Sequence, residues 1–323
     1  MNTPTVSVIV CAYNAQDFIR ETLDSLVSQT YRDIDILIVD DASTDGTAAI
    51  CEEYAVRDSR VRIVTHPENR GLAHGRNTGI EAAHAPLILF FDADDVADPN
   101  LVQTLHHTLA SDEKIMGVSC YAEYFSDEKT LGTQKIGALT RDEFMRSYKQ
   151  NKLYFQSAVT LFPRELALRV GGFRTNILPN SAGIRYEDYA DDLDLWCRMA
   201  DLGAEGRYFL TVPEPLFRYR KPSDSLSTQN VRFMQLKMRW IKDCLRRRRA
   251  GHAERSLAEF IASRGMWQRF TDWRSDQAAG FYKLAGFAYA KRNFLALAWY
   301  LLLVGLMSPK LLRQKIATQR VTP

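Results

Sequence analysis

The sequence has no Cys-x-x-Cys pair and no run of about 20 apolar residues, and each absence removes a class of protein. Its five cysteines, Cys11, Cys51, Cys120, Cys197 and Cys244, are odd in number and widely spaced. That arrangement supplies neither a zinc site nor a disulfide framework, and it fits a reducing, cytoplasmic location. The longest apolar candidate, Phe294–Met307, has 14 residues, which suits a buried or interfacial helix and is too short for a spanning one. The N-terminal MNTPTVSVIV has no basic segment, so no signal peptide is expected. No Gly-Lys-Ser/Thr completes a Walker A loop and no Gly-x-Gly-x-x-Gly occurs, which weighs against a P-loop ATPase and a dinucleotide enzyme.

What is present is an ordinary globular composition, 46% apolar and 25% charged over 323 residues, with a net charge of +3. That small sum hides a split. Residues 1–230 hold 23 Lys+Arg against 34 Asp+Glu, and residues 231–323 hold 19 against 5. An acidic body with a basic tail is expected to meet something anionic, and peripheral contact with an anionic membrane through 231–323 is the expectation here. The run Arg246–Arg249 reads as the solvated end of a helix. No aromatic stacking platform accompanies it, so no nucleic-acid partner is expected.

Hydrophobic patterning alternates strand and helix over the first 110 or so residues. Strands are expected at Val6–Cys11, Ile34–Val39, Val61–Val64 and Leu87–Phe91, and helices at Asp17–Gln29, Thr47–Val56 and Gly71–Ala83. This order predicts a mostly parallel sheet with helices on both faces. Further strands are expected at Ile115–Phe125 and Phe155–Phe162, a helix at Leu193–Ala200, and extended chain over Arg207–Tyr219 broken by Pro213 and Pro215. From 229 onward the pattern is helical, with a hairpin whose turn is Lys291-Arg292-Asn293.

Ligands in such sheets bind beyond the carboxyl ends of the strands. Those ends read Ala12-Tyr13-Asn14, Asp40-Asp41-Ala42-Ser43 and Asp92-Ala93-Asp94-Asp95. Capping explains Ser43, Thr44 and Asp45, but not paired acids directly after apolar strands. Crowded carboxylates repel unless a cation lies among them, and a D-x-D pair suits Mg²⁺ or Mn²⁺ shared with phosphates. An EF-hand is excluded by Val96 and Ala97. Arg76, near the start of the 71–83 helix, could meet a diphosphate. Asp191-Asp192, preceded by Glu187-Asp188, reads either as an acidic helix start or as the seat of a general base.

Together VSVIVCAYN (6–14), VDDASTDGT (39–47), ENRGLAHGRNTGI (68–80), FFDADD (90–95), VGGF (170–173), DDLDLWCRM (191–199) and EPLFRYR (214–220) resemble glycosyltransferase family 2. The resemblance covers about residues 5–225 and implies the GT-A fold, a Rossmann-like sheet. The implied domains are 1–228, divided near 112 into nucleotide and acceptor halves, and a basic helical extension, 229–323.

The activity implied is inverting transfer of a sugar from a nucleotide-diphosphate donor, a UDP-sugar, to a glycan or lipid-linked glycan. By the same resemblance Tyr13 cradles the base, Asp41 binds the uracil imide and Arg76 lies near the nucleotide. Asp92 and Asp94 form the D-x-D motif, Asp94 and Asp95 contact a divalent cation (Mn²⁺ or Mg²⁺), and Asp192 is the catalytic base, with Asp188 its competitor. Family members often carry a His near position 222, where this chain has Pro222. Gln235 to Trp240 is one residue longer than the Gln-x-x-Arg-Trp of processive synthases, which favours single additions. A sugar-phosphate nucleotidyltransferase and a non-catalytic nucleotide-sugar binding module are the alternatives.

Overall fold

The computed structural model describes residues 4–126, 129–178, 185–221, 231–290 and 292–318, so Pro222 and Lys291 lie outside the described residues. The first half runs β1 (Val6–Ala12), α1 (Ile19–Val27), β2 (Ile34–Asp40), α2 (Thr47–Arg57), β3 (Val61–Thr65), α3 (Leu72–Ala82) and β4 (Leu87–Asp92). Next come β5 (Val96–Ala97), α4 (Leu101–Leu109), β6 (Ile115–Ser126), β7 (Lys129–Gln134), α5 (Arg141–Lys149), β8 (Thr160–Pro163), α6 (Arg164–Arg169), α7 (Asp191–Met199) and β9 (Tyr208–Arg220). The helices α8 (Val231–Arg249), α9 (Leu257–Ala262), α10 (Met266–Ala290), α11 (Phe294–Met307) and α12 (Pro309–Thr318) follow.

The strands join one sheet in the order β3-β2-β1-β4-β8-β6-β9-β5, with β7 paired to β6. β3, β2, β1 and β4 are mutually parallel, as is the β6–β9 pair, while β8 runs antiparallel to β4 and β6. Val6, Val8, Ile9 and Val10 of β1 are buried on both faces, which is why the strand is an unbroken apolar run. The chain goes from β1 out to β3 and returns on the other side of β1 as β4. The carboxyl ends of β1, β2 and β4 therefore flank the point where the strand order reverses, the usual position of a ligand crevice.

Helix α3 lies unusually close to this sheet because of its glycines. A Cβ on Gly79 would come within 2.3 Å of Ile9 Cγ2, and one on Gly75 within 3.3 Å of Cys11 Sγ. Gly79→Ala is expected to destabilise the fold by about 1–3 kcal/mol through overpacking. Chemical denaturation would show it as a lower midpoint; an unchanged midpoint would mean that α3 shifts freely.

Three elements differ from the sequence expectation. Residues 155–159 are loop rather than strand: Phe155 is exposed, and the buried Gln156 amide donates to the Leu210 carbonyl (3.0 Å) and accepts from the Tyr154 hydroxyl (2.9 Å). Helix α7 starts at Asp191, two residues early, after Ala190 in the left-handed region (φ 48°). Pro213 and Pro215 do not break β9; its register against β6 shifts near Tyr121 instead.

The chain forms two compact units, Met1–Ser225 with Ile241–Glu254, and Leu226–Trp240 with Arg255–Pro323. Within the first, Arg248 and Arg249 both bond Asp201 (2.6 and 2.7 Å), Arg248 also bonds Glu254, and the Arg249 guanidinium stacks on Tyr148 at 4.3 Å. The solvated helix end expected for Arg246–Arg249 thus describes exposed Arg246 and not Arg248 or Arg249, whose shared partner Asp201 comes from distant sequence. In the second unit α10 and α11 pack as a helical hairpin, and Arg239 bonds Asp276 of α10. Among the described residues no helix is long and apolar enough to cross a membrane.

Candidate active site

The loops after β1 and β2 are tied together. Asn14, at φ 50°, accepts from the Thr44 N–H at 2.8 Å, and its own N–H donates to Ser43 Oγ at 3.1 Å. Beside it Tyr13 is 49% exposed, leaving a ring face open at the strand end. Asp41 is buried and heavily bonded. Its Oδ1 meets His66 Nδ1 (2.6 Å) and the Arg70 N–H (2.9 Å), and its Oδ2 accepts from the Gly71 N–H (2.7 Å). The other His66 nitrogen meets Thr78 Oγ1 at 2.9 Å, so the ring is fixed from both sides. Gly71 itself is at φ 94°, and a Cβ there would lie 2.6 Å from Asp188 Oδ2.

Arg76, on the second turn of α3, is the centre of the site. It is 4% exposed, and its Nη1 donates to Asp191 Oδ2 at 2.7 Å while Nη2 donates to Asp92 Oδ1 at 3.2 Å. Phe90 and Phe173 lie 5.7 and 5.4 Å from the guanidinium. Phe173 is held there by Asn77, whose amide makes two 2.8 Å bonds to the Phe173 backbone. Burial opposes the charge on Arg76, but Asp191 and Asp92 outweigh it and hold its pKa above the ordinary value. Cys11 lies in the same field, its thiol pushed up by burial to about 12.

At the end of β4 three acids crowd together. Burial and then Asp92 push the Asp94 carboxyl up to about 6. Burial, then Asp92 and Asp94, hold Asp95 well above its ordinary range. Asp95 Oδ1 accepts from the Arg220 N–H at 2.9 Å, and the Arg220 Nε donates to the Asp94 carbonyl at 2.9 Å. Asp95 Oδ2 is buried with no hydrogen-bond partner among the described residues. Hard oxygen donors, mutual repulsion and an orphaned oxygen fit a divalent cation. Among the described residues no three His, Cys, Asp or Glu side chains form a ready ligand set, so a cation here would need oxygens from elsewhere.

The two candidate bases separate by what they touch. Asp188 Oδ1 accepts from the Ala73 N–H at 3.0 Å and so caps α3 from a distance in sequence. Asp192 sits in the first turn of α7, beside the Asp191 that binds Arg76. Burial pushes both carboxyls up to about 6; for Asp192 the next contribution is Asp191, opposed by Arg76. A carboxyl titrating near 6 is a mostly ionised and appreciably basic group at neutral pH.

The structure thus links Arg76 directly to Asp92 and Asp191, places Asp192 in the same field, and sets Asp94 and Asp95 next along β4. Tyr13 and Asp41 stand at the neighbouring strand ends. His66, Arg70, Asp188 and Arg220 hold these residues but were given no such role from the sequence. Arg70 and Arg220 lay inside quoted motifs and Asp188 was named as the competing base, whereas His66 carried no signal.

A family model described as Glycosyl transferase family 2 matches residues 7–171. An uncharacterized glycosyltransferase of Haemophilus influenzae is 28% identical over 232 residues, 70% of this chain and 68% of that protein. The putative glycosyltransferase EpsH of Bacillus subtilis is 36% identical over 181 residues, 52% of each chain, so only about half of that relative is spanned. The putative teichuronic acid biosynthesis glycosyltransferase TuaG of the same organism is 42% identical over 92 residues, 28% of this chain and 36% of that one.

Two solved structures share the fold. A mannosyltransferase from Pyrobaculum calidifontis in complex with GDP-Man and Mn²⁺ has TM-score 0.55 and 19% identity, over 96% of this chain and 88% of that one. Staphylococcus aureus TarS 1–349 in complex with UDP-GlcNAc has TM-score 0.55 and 16% identity, over 86% and 80%. The mostly parallel α/β sheet with its flanking helices is thus of the GT-A type. The chain belongs to glycosyltransferase family 2 and is a glycosyltransferase.

Proposed function

We propose that the chain transfers a sugar, with inversion, from a UDP-sugar to a glycan or lipid-linked glycan during surface polysaccharide assembly. The observation that carries this is the Arg76 hub, which joins the D-x-D strand end to the acidic start of α7. The name of TuaG, a putative teichuronic acid biosynthesis glycosyltransferase, supports a glycan acceptor, and the nucleotide sugars in the related structures support the donor class.

In this reading Tyr13 stacks on the base. A carboxylate has about four lone-pair directions, and three donors already meet Asp41, which leaves one for an imide N–H. Arg76, bonded to two acids, holds Asp92 and Asp191 in position beside the diphosphate. Asp94 and Asp95 hold the divalent cation, Asp95 through its orphaned oxygen. That cation, when bound, supplies Lewis-acid stabilisation for the departing diphosphate. Asp192 takes the proton of the acceptor hydroxyl as that oxygen attacks opposite the leaving group.

The test is a panel of nucleotide sugars assayed for nucleoside diphosphate release with Mn²⁺, with Mg²⁺ and after chelation. One UDP-sugar is expected to stand out, and chelation or Asp95→Asn is expected to lower turnover by about a hundredfold or more. Full turnover after exhaustive chelation would remove the cation from the scheme. Formation of a nucleotide sugar from a sugar phosphate would favour the nucleotidyltransferase instead.

A further inference from the structure

The second unit carries an apolar surface that the transfer chemistry does not use. Along α10 five of the seven exposed large apolar residues, Met266, Phe270, Trp273, Leu284 and Phe287, recur at spacings of three, four, seven or eleven residues, which places them in one stripe, with Trp267 and Tyr289 off it. Along α11 Leu295 (88% exposed), Trp299 (58%), Leu302 and Leu306 do the same. The buried side of α11, including Val304, packs within the hairpin. Helix α11 is therefore apolar on the face that packs and on the face that does not. Contiguous exposed apolar surface of this kind marks an interaction site.

The charge around it says what covers it. After Asp276 the sequence has seven Lys+Arg and not one Asp or Glu to its end at Pro323. Arg292, Lys310 and Arg313 are exposed at the ends of α11 and on α12. A second copy would bring this cationic surface against itself, whereas an anionic lipid surface complements it. Exposed Trp299 and Trp267 (74% exposed) are of the type that settles at the lipid headgroup level. At 1.5 Å per residue the 14-residue α11 is roughly 21 Å long, short of the ~30 Å hydrocarbon core, so it would lie in the interface plane.

We propose that the α10–α11 hairpin is a monotopic dock for an anionic bilayer, seated by the two apolar stripes and held by the exposed cations Arg292, Lys310 and Arg313. The inference deepens the proposed function, since a lipid-linked acceptor resides at such a surface, but its evidence is independent of the catalytic acids.

The test uses the full chain and vesicles of phosphatidylcholine alone or mixed with phosphatidylglycerol. Co-sedimentation at low salt is expected with the anionic vesicles and about tenfold less with the neutral ones. The variant W299E/L302E is expected to lose binding by about tenfold or more while nucleoside diphosphate release from a water-soluble donor stays at the wild-type level. Should that variant misfold, brominated lipid in the anionic vesicles serves on the wild type, where quenching of tryptophan emission is expected. The proposal is overturned if the wild-type chain ignores anionic vesicles at low salt. It is equally overturned if W299E/L302E dissolves a dimer, read by light scattering, and leaves vesicle binding unchanged. Vesicle binding without donor turnover supports this dock and counts against the transferase reading alone.

Discussion

Asp192→Asn is expected to lower kcat by about 10²–10⁴-fold while leaving donor affinity near its wild-type value, as measured by titration with the donor. The amide keeps the size of the carboxylate and can still accept the 2.7 Å bond from the Leu193 N–H, so the start of α7 is preserved. What it cannot do is take a proton. Asp188→Asn is the matched control. Its amide oxygen can still cap α3 through the Ala73 N–H, and its kcat is expected to fall by less than about tenfold.

The wild-type rate should rise with pH through about 6, because burial and Asp191 have raised the pKa of the base to that value and only its ionised form works. Stability has the opposite sign. A carboxyl whose folded pKa lies above its unfolded one favours the folded state while protonated, and this contribution is lost as pH rises through about 6. Asp192→Asn is therefore expected to melt higher than wild type above that pH and to differ less below it. Undiminished transfer by Asp192→Asn, with loss in Asp188→Asn, would move the base to Asp188.

The sheet was legible because its cause is local. Val6, Val8, Ile9 and Val10 announce a strand covered on both faces, and an acid after such a strand must emerge at its carboxyl end. The acids of the site could be named for the same reason. Their partners could not. Asp188 and Ala73 are separated by 115 positions, as are Arg76 and Asp191, and no periodicity encodes such a pairing. Asp41 and His66 show the same limit: the histidine follows β3 as an isolated polar residue, and only the β2–β3 pairing brings it to the carboxylate. Asp188 adds a second function that no motif announces: the aspartate of Glu187-Asp188, the competing base, also accepts from the first turn of α3. Arg248 and Arg249 carry a similar surprise, since a cationic run read as solvated is half consumed by Asp201 and Glu254.

Arg76→Gln is expected to destabilise the fold by about 3–5 kcal/mol, the usual result of removing one partner from a buried ion pair. The cost falls mainly on Asp191, whose side chain is 6% exposed and loses its cation in a nearly dry setting; Asp92, at 31%, can turn to water. Arg76→Lys should retain part of the stability, since an ammonium can satisfy one carboxylate but lacks the planar fork that reaches both. The double variant R76Q/D191N should recover much of the loss, because the stranded charge is then gone as well. Activity supplies a second readout that a merely structural role would not move. Arg76 opposes the upward push on Asp192, so its removal should carry the acid limb of the pH–rate profile above about 6. A residue that only props α3 against the sheet would lower the melting temperature and leave that limb where it is. A hub that ties the D-x-D strand end to the base moves both, and a shift in stability without a shift in the limb would reduce Arg76 to the former.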